Sequence, residues 1–267
     1  MRKYISFFRM RFINGLQYRT AAYAGIATQF AWGFMEILMF RAFYAANPEA
    51  FPMEFSQLSS YIWLQQALLA LFMTWFLEND IFSAITSGNV AYELVRPMNL
   101  YRMWFVKNLA SRLSKAVLRC MPILLVAAFL PAPYNISLPS GFPEFIWFSV
   151  SLVLGFLIVV AFCMLVYIAT FYTMSPMGVR LIAVTMVEFF SGAVIPIPFF
   201  PDKIRLVFEL LPFASMQNMP LRIYSGNITG NEVLTGIALQ VFWLVVMLAT
   251  GRLLMGRALK RVVIQGG

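Results

Sequence analysis

The run FIWFSVSLVLGFLIVVAFCMLVYIATFY, residues 145–172, holds 28 residues without a single charge. A helix crossing a bilayer needs about 20 mostly apolar residues, so this run alone predicts a transmembrane helix. The rest of the chain agrees with it. Of 267 residues, 61% are hydrophobic and 12% charged, and the mean hydropathy is +0.77. Soluble domains sit near half apolar and a quarter charged. The composition is therefore that of an all-α integral membrane protein.

Working outward, further spans are expected at about 21–45 and 60–77, in a helix through 107–130, from about 179, and at about 234–255. That makes six. Loops separate them at NPEAFPMEFSQLSS (47–60), PAPYNISLPSGFPE (131–144) and TMSPMG (173–178), each marked by proline. In the third helix only CMPILLVAAFL (120–130) is purely apolar, too short to cross alone. Its basic first half must enter the interface or line a wet cavity. The fifth span breaks at SGAVIPIPFFPD (191–202), where Pro196, Pro198 and Pro201 cannot continue a helix. Asp202 then suits the cap of a short helix with an apolar face of Ile204, Val207, Phe208 and Leu211. Residues 2–20 carry a stripe of Ile5, Phe8, Phe12 and Leu16 among bases, which reads as an interfacial helix on anionic headgroups or as a basic tail. Arg9, Arg11 and Arg19 interrupt any signal-peptide core, so cleavage after AYA (22–24) is not expected. Neither an internal repeat nor a linker divides residues 1–267, which read as one transmembrane domain.

The formal charge of +9 raises the question of nucleic acid, and the placement of the bases answers it. Sixteen of the twenty lysines and arginines precede span one, lie between Arg96 and Arg119, stand at Arg180, or follow from Arg252. In a six-span chain all of those fall on one side. The positive-inside rule then puts both termini in the cytoplasm, and no nucleic-acid partner is needed. The chain has no histidine, which removes Ser–His dyads, HExxH zinc sites and most proton relays. Cys120 and Cys163 sit in apolar runs and read as small hydrophobes. GRLLMGRA (251–258) has the glycine spacing of a P-loop, but Arg257 and Ala258 replace the required Lys and Ser or Thr. No catalytic residue, cofactor site or metal site is expected. Asp80 and Asp202 fall on opposite sides, against a paired-aspartate intramembrane protease.

Ionisable groups inside spans are costly and point to function or to a structural partner. Glu36, Arg41 and Glu188 are open to both readings. On the third helix Arg112, Lys115 and Arg119 fall within about 60° of arc. They read as the basic flank of an inward cavity or as bases snorkelling at the interface.

One segment is unlike its surroundings: ENDIFSAITSGNVAYELVRPMNLYR, residues 78–102. Asn79 or Asp80 suits the cap of a short helix with Ile81, Phe82 and Ile85 on one side and Ser83, Thr86 and Ser87 on the other. Gly88 suits its end. From Val90 the pattern changes, and Arg96 before Pro97 is biased to an extended conformation. Two turns are too few for a lipid anchor, so the expectation is a cytoplasmic docking helix for a partner protein.

DIFSAITSGNVAYELVRPMNLY (80–101) resembles the coupling-helix segment of ABC-2 (type V) ABC transporter permeases. FFSGAVIPIPFFPDKIRLVFELLPFA (189–214) is similar to that family's broken fifth span, whose re-entrant helices turn back at the outer face. GRALKRVVIQGG (256–267) resembles a bacterial branch of viologen-type exporter permeases. The resemblance implies a bacterial plasma-membrane exporter subunit working as a homo- or heterodimer. Separate cytoplasmic ATPase subunits would bind ATP and Mg2+ and dock at the coupling helix. It assigns that interface to Asp80, Ile81, Phe82, Ile85 and Gly88, with Tyr92, Glu93, Arg96 and Pro97 supporting the turn. The implied substrate path, for an amphiphilic or lipid-like compound, is Gln65, Gln66, Met73 and Trp75 of span two with Glu188, Phe189 and Phe190 of span five. An ion-driven carrier using Glu36 and Glu188 is the alternative expectation.

Overall fold

The computed structural model describes residues 1–47, 51–139 and 141–260. The end of the closing stretch, 261–267, lies outside the described residues, and Arg261 with it. Among the described residues the chain is all-α. Twelve helices follow one another: α1 (Arg2–Leu16), α2 (Arg19–Ala46), α3 (Phe55–Ala67), α4 (Leu69–Phe72), α5 (Asn79–Thr86), α6 (Val90–Leu94), α7 (Leu100–Phe129), α8 (Phe142–Thr173), α9 (Pro176–Phe190), α10 (Asp202–Leu210), α11 (Asn218–Tyr224) and α12 (Asn231–Leu259).

The uncharged run forms α8, 32 residues long and so about 48 Å at 1.5 Å per residue. It and the 29-residue α12 are long and apolar enough to cross a membrane. α2 and α7 match them in length but are less apolar. α8 is the hub, packed against α12, α11, α9, α7, α5 and α4. Its centre is small where it must be. A Cβ on Gly155 would lie 2.2 Å from the Met216 carbonyl oxygen. Beside that contact, Gln240 of α12 donates to the carbonyls of Ser151 (3.1 Å) and Ser215 (2.8 Å). One buried amide thus ties α12, α8 and the approach to α11.

Four local readings are corrected or refined. First, the second apolar run starts earlier and stops sooner than 60–77. α3 begins at Phe55, with a capping box between Glu54 and Gln57. Regular helix ends at Phe72, with Met73 extended (ψ 131°). Second, α5 is capped at Glu78 rather than Asn79 or Asp80, and its capping residue makes no side-chain bond. Third, the change of pattern at Val90 is a second short helix, α6, with Val90 buried, and Arg96 lies beyond its end. Gly88, at φ 75°, ends α5 as expected. Fourth, Asp202 is the first residue of α10 rather than its cap, pairing with Arg205 at 3.0 Å. Of the face foreseen there, Phe208 is buried while Ile204 and Val207 are exposed.

α1 lies against α7, closely enough that a Cβ on Gly15 would meet Ser114 Oγ at 2.1 Å. Phe7 packs on the core cluster; of the expected stripe Phe8, Phe12 and Leu16 are half-buried and Ile5 is exposed. Phe8 and Phe12 stack at 5.8 Å.

Gly155→Ala forces α8 off the Met216 carbonyl and should cost about 1–3 kcal/mol of stability. Gly256→Ala, where a Cβ meets nothing within 4 Å, should cost nothing measurable. Thermal unfolding of the purified protein in detergent distinguishes the two, and equal melting points would refute the contact.

Candidate functional site

The polar segment 78–98 folds into α5, a turn at Gly88 and α6, and it has two contrasting sides. Inward, Ile81, Phe82, Ile85 and Val90 are all buried. Phe82 meets Tyr167 of α8 edge-on at 5.0 Å, and Tyr167 with Phe171 flanks Trp104 of α7. Around this apolar seat stands a ring of polar pegs. Asp80 pairs with Lys107 of α7, and Trp104 Nε1 donates to the Glu93 carboxylate. The Glu78 amide donates to the Tyr167 hydroxyl (2.8 Å), which donates to Asn108 Oδ1 (3.0 Å). Arg180 of α9 donates to Asn79 Oδ1 (3.0 Å) and to the Trp75 carbonyl (2.8 Å). Lys3 donates to the Pro97 carbonyl and the Asn99 amide donates to the Tyr4 hydroxyl (3.0 Å). So α1, α7, α8 and α9 all hold the segment. An eight-residue helix is marginal in isolation; here tertiary contacts fix it.

Outward, Ser83, Thr86, Ser87, Gly88, Asn89, Tyr92, Val95 and Arg96 are exposed. A shallow cleft of ≈ 630 Å³ runs between Ser83, Ala84, Asn89 and Tyr92, with Asp80 and Glu93 at its edges. Tyr92 is 74% exposed, an aromatic ring with no apolar cover. The hydroxyls of Thr86 and Ser87 bond back to carbonyls of Phe82 and Ser83, so the middle of the face is uncharged, with Asp80, Glu93 and Arg96 around it.

The chain leading into the segment is held by Arg112. Its side chain is wholly buried. Nη1 donates to the carbonyls of Met73 (2.8 Å), Leu71 (3.2 Å) and Ala70 (3.4 Å), and Nη2 to Cys163 Sγ (3.2 Å). These are the carbonyls left open where α4 stops. Arg112 therefore does not share one open flank with Lys115 and Arg119. Those two instead cover the Phe76 ring at 5.3 and 5.5 Å, and Lys115 lies 3.9 Å from Glu78.

The residues assigned to a substrate path fall into two groups along α9. Met73, buried, and Trp75, partly exposed, lie near its start, where Arg180 holds the Trp75 carbonyl. Gln65 donates to the Ala193 carbonyl (2.8 Å) just past its end. Glu188 is half-buried there and Phe189 exposed. Phe190 packs on Phe208 (5.0 Å) and stacks on Phe213 (5.8 Å). Gln66 turns the other way, donating to Glu36 Oε2 at 3.4 Å. Glu36 Oε1 is buried without a partner. Arg41 rests over Tyr134 at 5.2 Å rather than against Glu36. The sequence reading missed Tyr4, Trp104, Asn108 and Tyr167. On α7 the signal was present: Trp104, Asn108 and Arg112 recur every four residues, one face of a helix.

Arg112→Met leaves three buried carbonyls without a donor and should destabilise the protein by about 3 kcal/mol or more, with Arg112→Lys restoring part of the loss. Unfolding in detergent reads both, and an unchanged melting point for Arg112→Met contradicts the assignment.

Residues 30–266 match the family model described as ABC-2 family transporter protein. No curated protein matches the chain.

Proposed function

The chain belongs to the ABC-2 family of transporter proteins, and from that premise we propose that it is the membrane permease of an ATP-driven exporter, moved by separate ATPase subunits docked on α5 and α6. The observation that carries the proposal is the two-sidedness of α5. One face is bolted to α7, α8 and α9, and the other is bare and shaped, its only charges standing around the edge. A push on the bare face reaches the bundle without being absorbed by a flexible loop.

The topology proposed has six crossings in a bacterial plasma membrane. They are α2, α3–α4 with the extended 73–78, α7, α8, α9 and α12, within one transmembrane domain. Both termini and α5 lie in the cytoplasm with most of the bases, and α1 lies along that interface. α9 has 15 residues, about 22 Å of helix, less than the roughly 30 Å hydrocarbon core. The turns after it, with α10 and α11, complete the crossing and fold back at the outer face. ATP and Mg2+ belong to the partner subunits. Two permeases, identical or not, would enclose the path beside α3 and α9, and an amphiphilic or hydrophobic compound would pass by alternating access. The unpartnered Glu36 Oε1 favours one second reading, an ion-coupled carrier; Glu36→Gln should abolish proton-driven transport under that reading and spare ATP-driven transport under the first.

Co-expressed with its cytoplasmic ATPase, the chain should co-purify with it and support vanadate-sensitive turnover. Ser83→Trp and Tyr92→Ala, both at exposed positions, should change stability by no more than about 0.5 kcal/mol yet reduce turnover about tenfold or more. Full turnover in both variants would sink the docking assignment.

A further inference from the structure

A second cleft lies between the first turn of α7 and the last two turns of α12, apart from the docking face. It encloses ≈ 300 Å³ and is lined by Asn99, Tyr101, Arg102, Arg252 and Gly256 among others, with no acid in its wall. Arg102 and Arg252 are exposed, and among the described residues neither is ion-paired with a carboxylate. The 30-residue α7 begins here. Asn99 takes the Arg102 amide on its side chain (3.1 Å) and the Met103 amide on its carbonyl (2.9 Å). The amides of Leu100 and Tyr101, first in the helix, have no intrahelical acceptor, and the positive end of the helix dipole adds to them.

An independent observation points to a ligand. Tyr101 is 6% exposed, lines the cleft, and its hydroxyl has no hydrogen-bond partner. A buried hydroxyl is normally bonded. Gly251 of α12 leaves the room it occupies, since a Cβ there would come within 2.7 Å of Tyr101 Oη. The negative end of α12 lies two turns beyond Arg252, and Arg257 and Lys260 stand on it.

We propose that this cleft binds a phosphate group, carried by the headgroup of an anionic phospholipid or by free phosphate. The two guanidiniums supply forked, charge-assisted donors that match phosphate oxygens. The α7 amides and the Tyr101 hydroxyl complete the shell, as helix N-termini do for anions. Its level, at the cytoplasmic headgroups, rests on the topology proposed above.

The test uses the full chain, purified in neutral detergent, with unfolding temperature followed as short-chain phosphatidylglycerol, phosphatidylcholine or inorganic phosphate is added. Phosphatidylglycerol should stabilise saturably and phosphatidylcholine should not. The pair Arg102→Gln with Arg252→Gln should raise the half-saturating concentration about tenfold or more, while Arg257→Gln, outside the lining, leaves it unchanged. If inorganic phosphate alone reproduces the shift and displaces the lipid effect, the site belongs to free phosphate. If wild type is stabilised by neither, or the double variant responds like wild type, the site does not exist. Should the double variant fail to fold, Tyr101→Phe decides, because it removes one donor only: an unchanged half-saturation overturns the proposal. Topology is read separately by impermeant maleimide on Arg257→Cys. Labelling from outside the cell contradicts the six-span reading and leaves the binding result standing.

Discussion

The half of the bundle that carries α5 depends on one buried guanidinium. In an apolar interior every backbone carbonyl needs a donor, which is why helices rarely stop there. α4 does stop, at Phe72, and Arg112 supplies the donors that the next turn of helix would have given to Ala70, Leu71 and Met73. With the carbonyls satisfied, the chain is free to leave the helical path and run extended to α5. The Arg112 charge is in turn made tolerable by those three carbonyl dipoles and by Cys163. Neither partner is stable in the apolar interior alone.

From that junction the remaining contacts follow in sequence. The extended residues carry Glu78 to Tyr167, which fixes the start of α5; Asp80 reaches Lys107 one turn of α7 before Arg112; Glu93 reaches Trp104 one turn before that. Segment 78–98 is thus read off α7 like teeth on a rack, and α1 clamps its far end through Lys3 and Tyr4. A load applied to α5 is delivered to α7 and α8 together. That is the property an exporter driven by an outside motor requires.

Much of this was legible in the sequence, for physical reasons that differ by element. The helix α8 announced itself because 28 uncharged residues have no soluble alternative. The turn at Gly88 was legible because a left-handed residue ends a helix and glycine adopts it freely. The role of Arg112 was not. Its spacing with Lys115 and Arg119 suggested one solvent-facing row, whereas only a broken neighbouring helix makes a buried arginine worthwhile, and the break carries no proline or glycine to mark it. The contact of α1 with α7 was not legible either, since Gly15 sets the approach and a glycine has no weight in an apolar pattern. The neighbours of Glu36 and Arg41, Gln66 and Tyr134 respectively, come from other helices and loops and could not be read from spacing.

The central claim is that an ATPase subunit sits on the bare face of α5 and α6. Photo-crosslinking from inside cells tests it most directly, with benzoylphenylalanine placed in turn at Ser83, at Tyr92 and, as an outer-face control, at Leu206. The account predicts adducts with a nucleotide-binding subunit from positions 83 and 92 and none from 206. Absence of such adducts from both α5–α6 positions, or their appearance from Leu206, would contradict it.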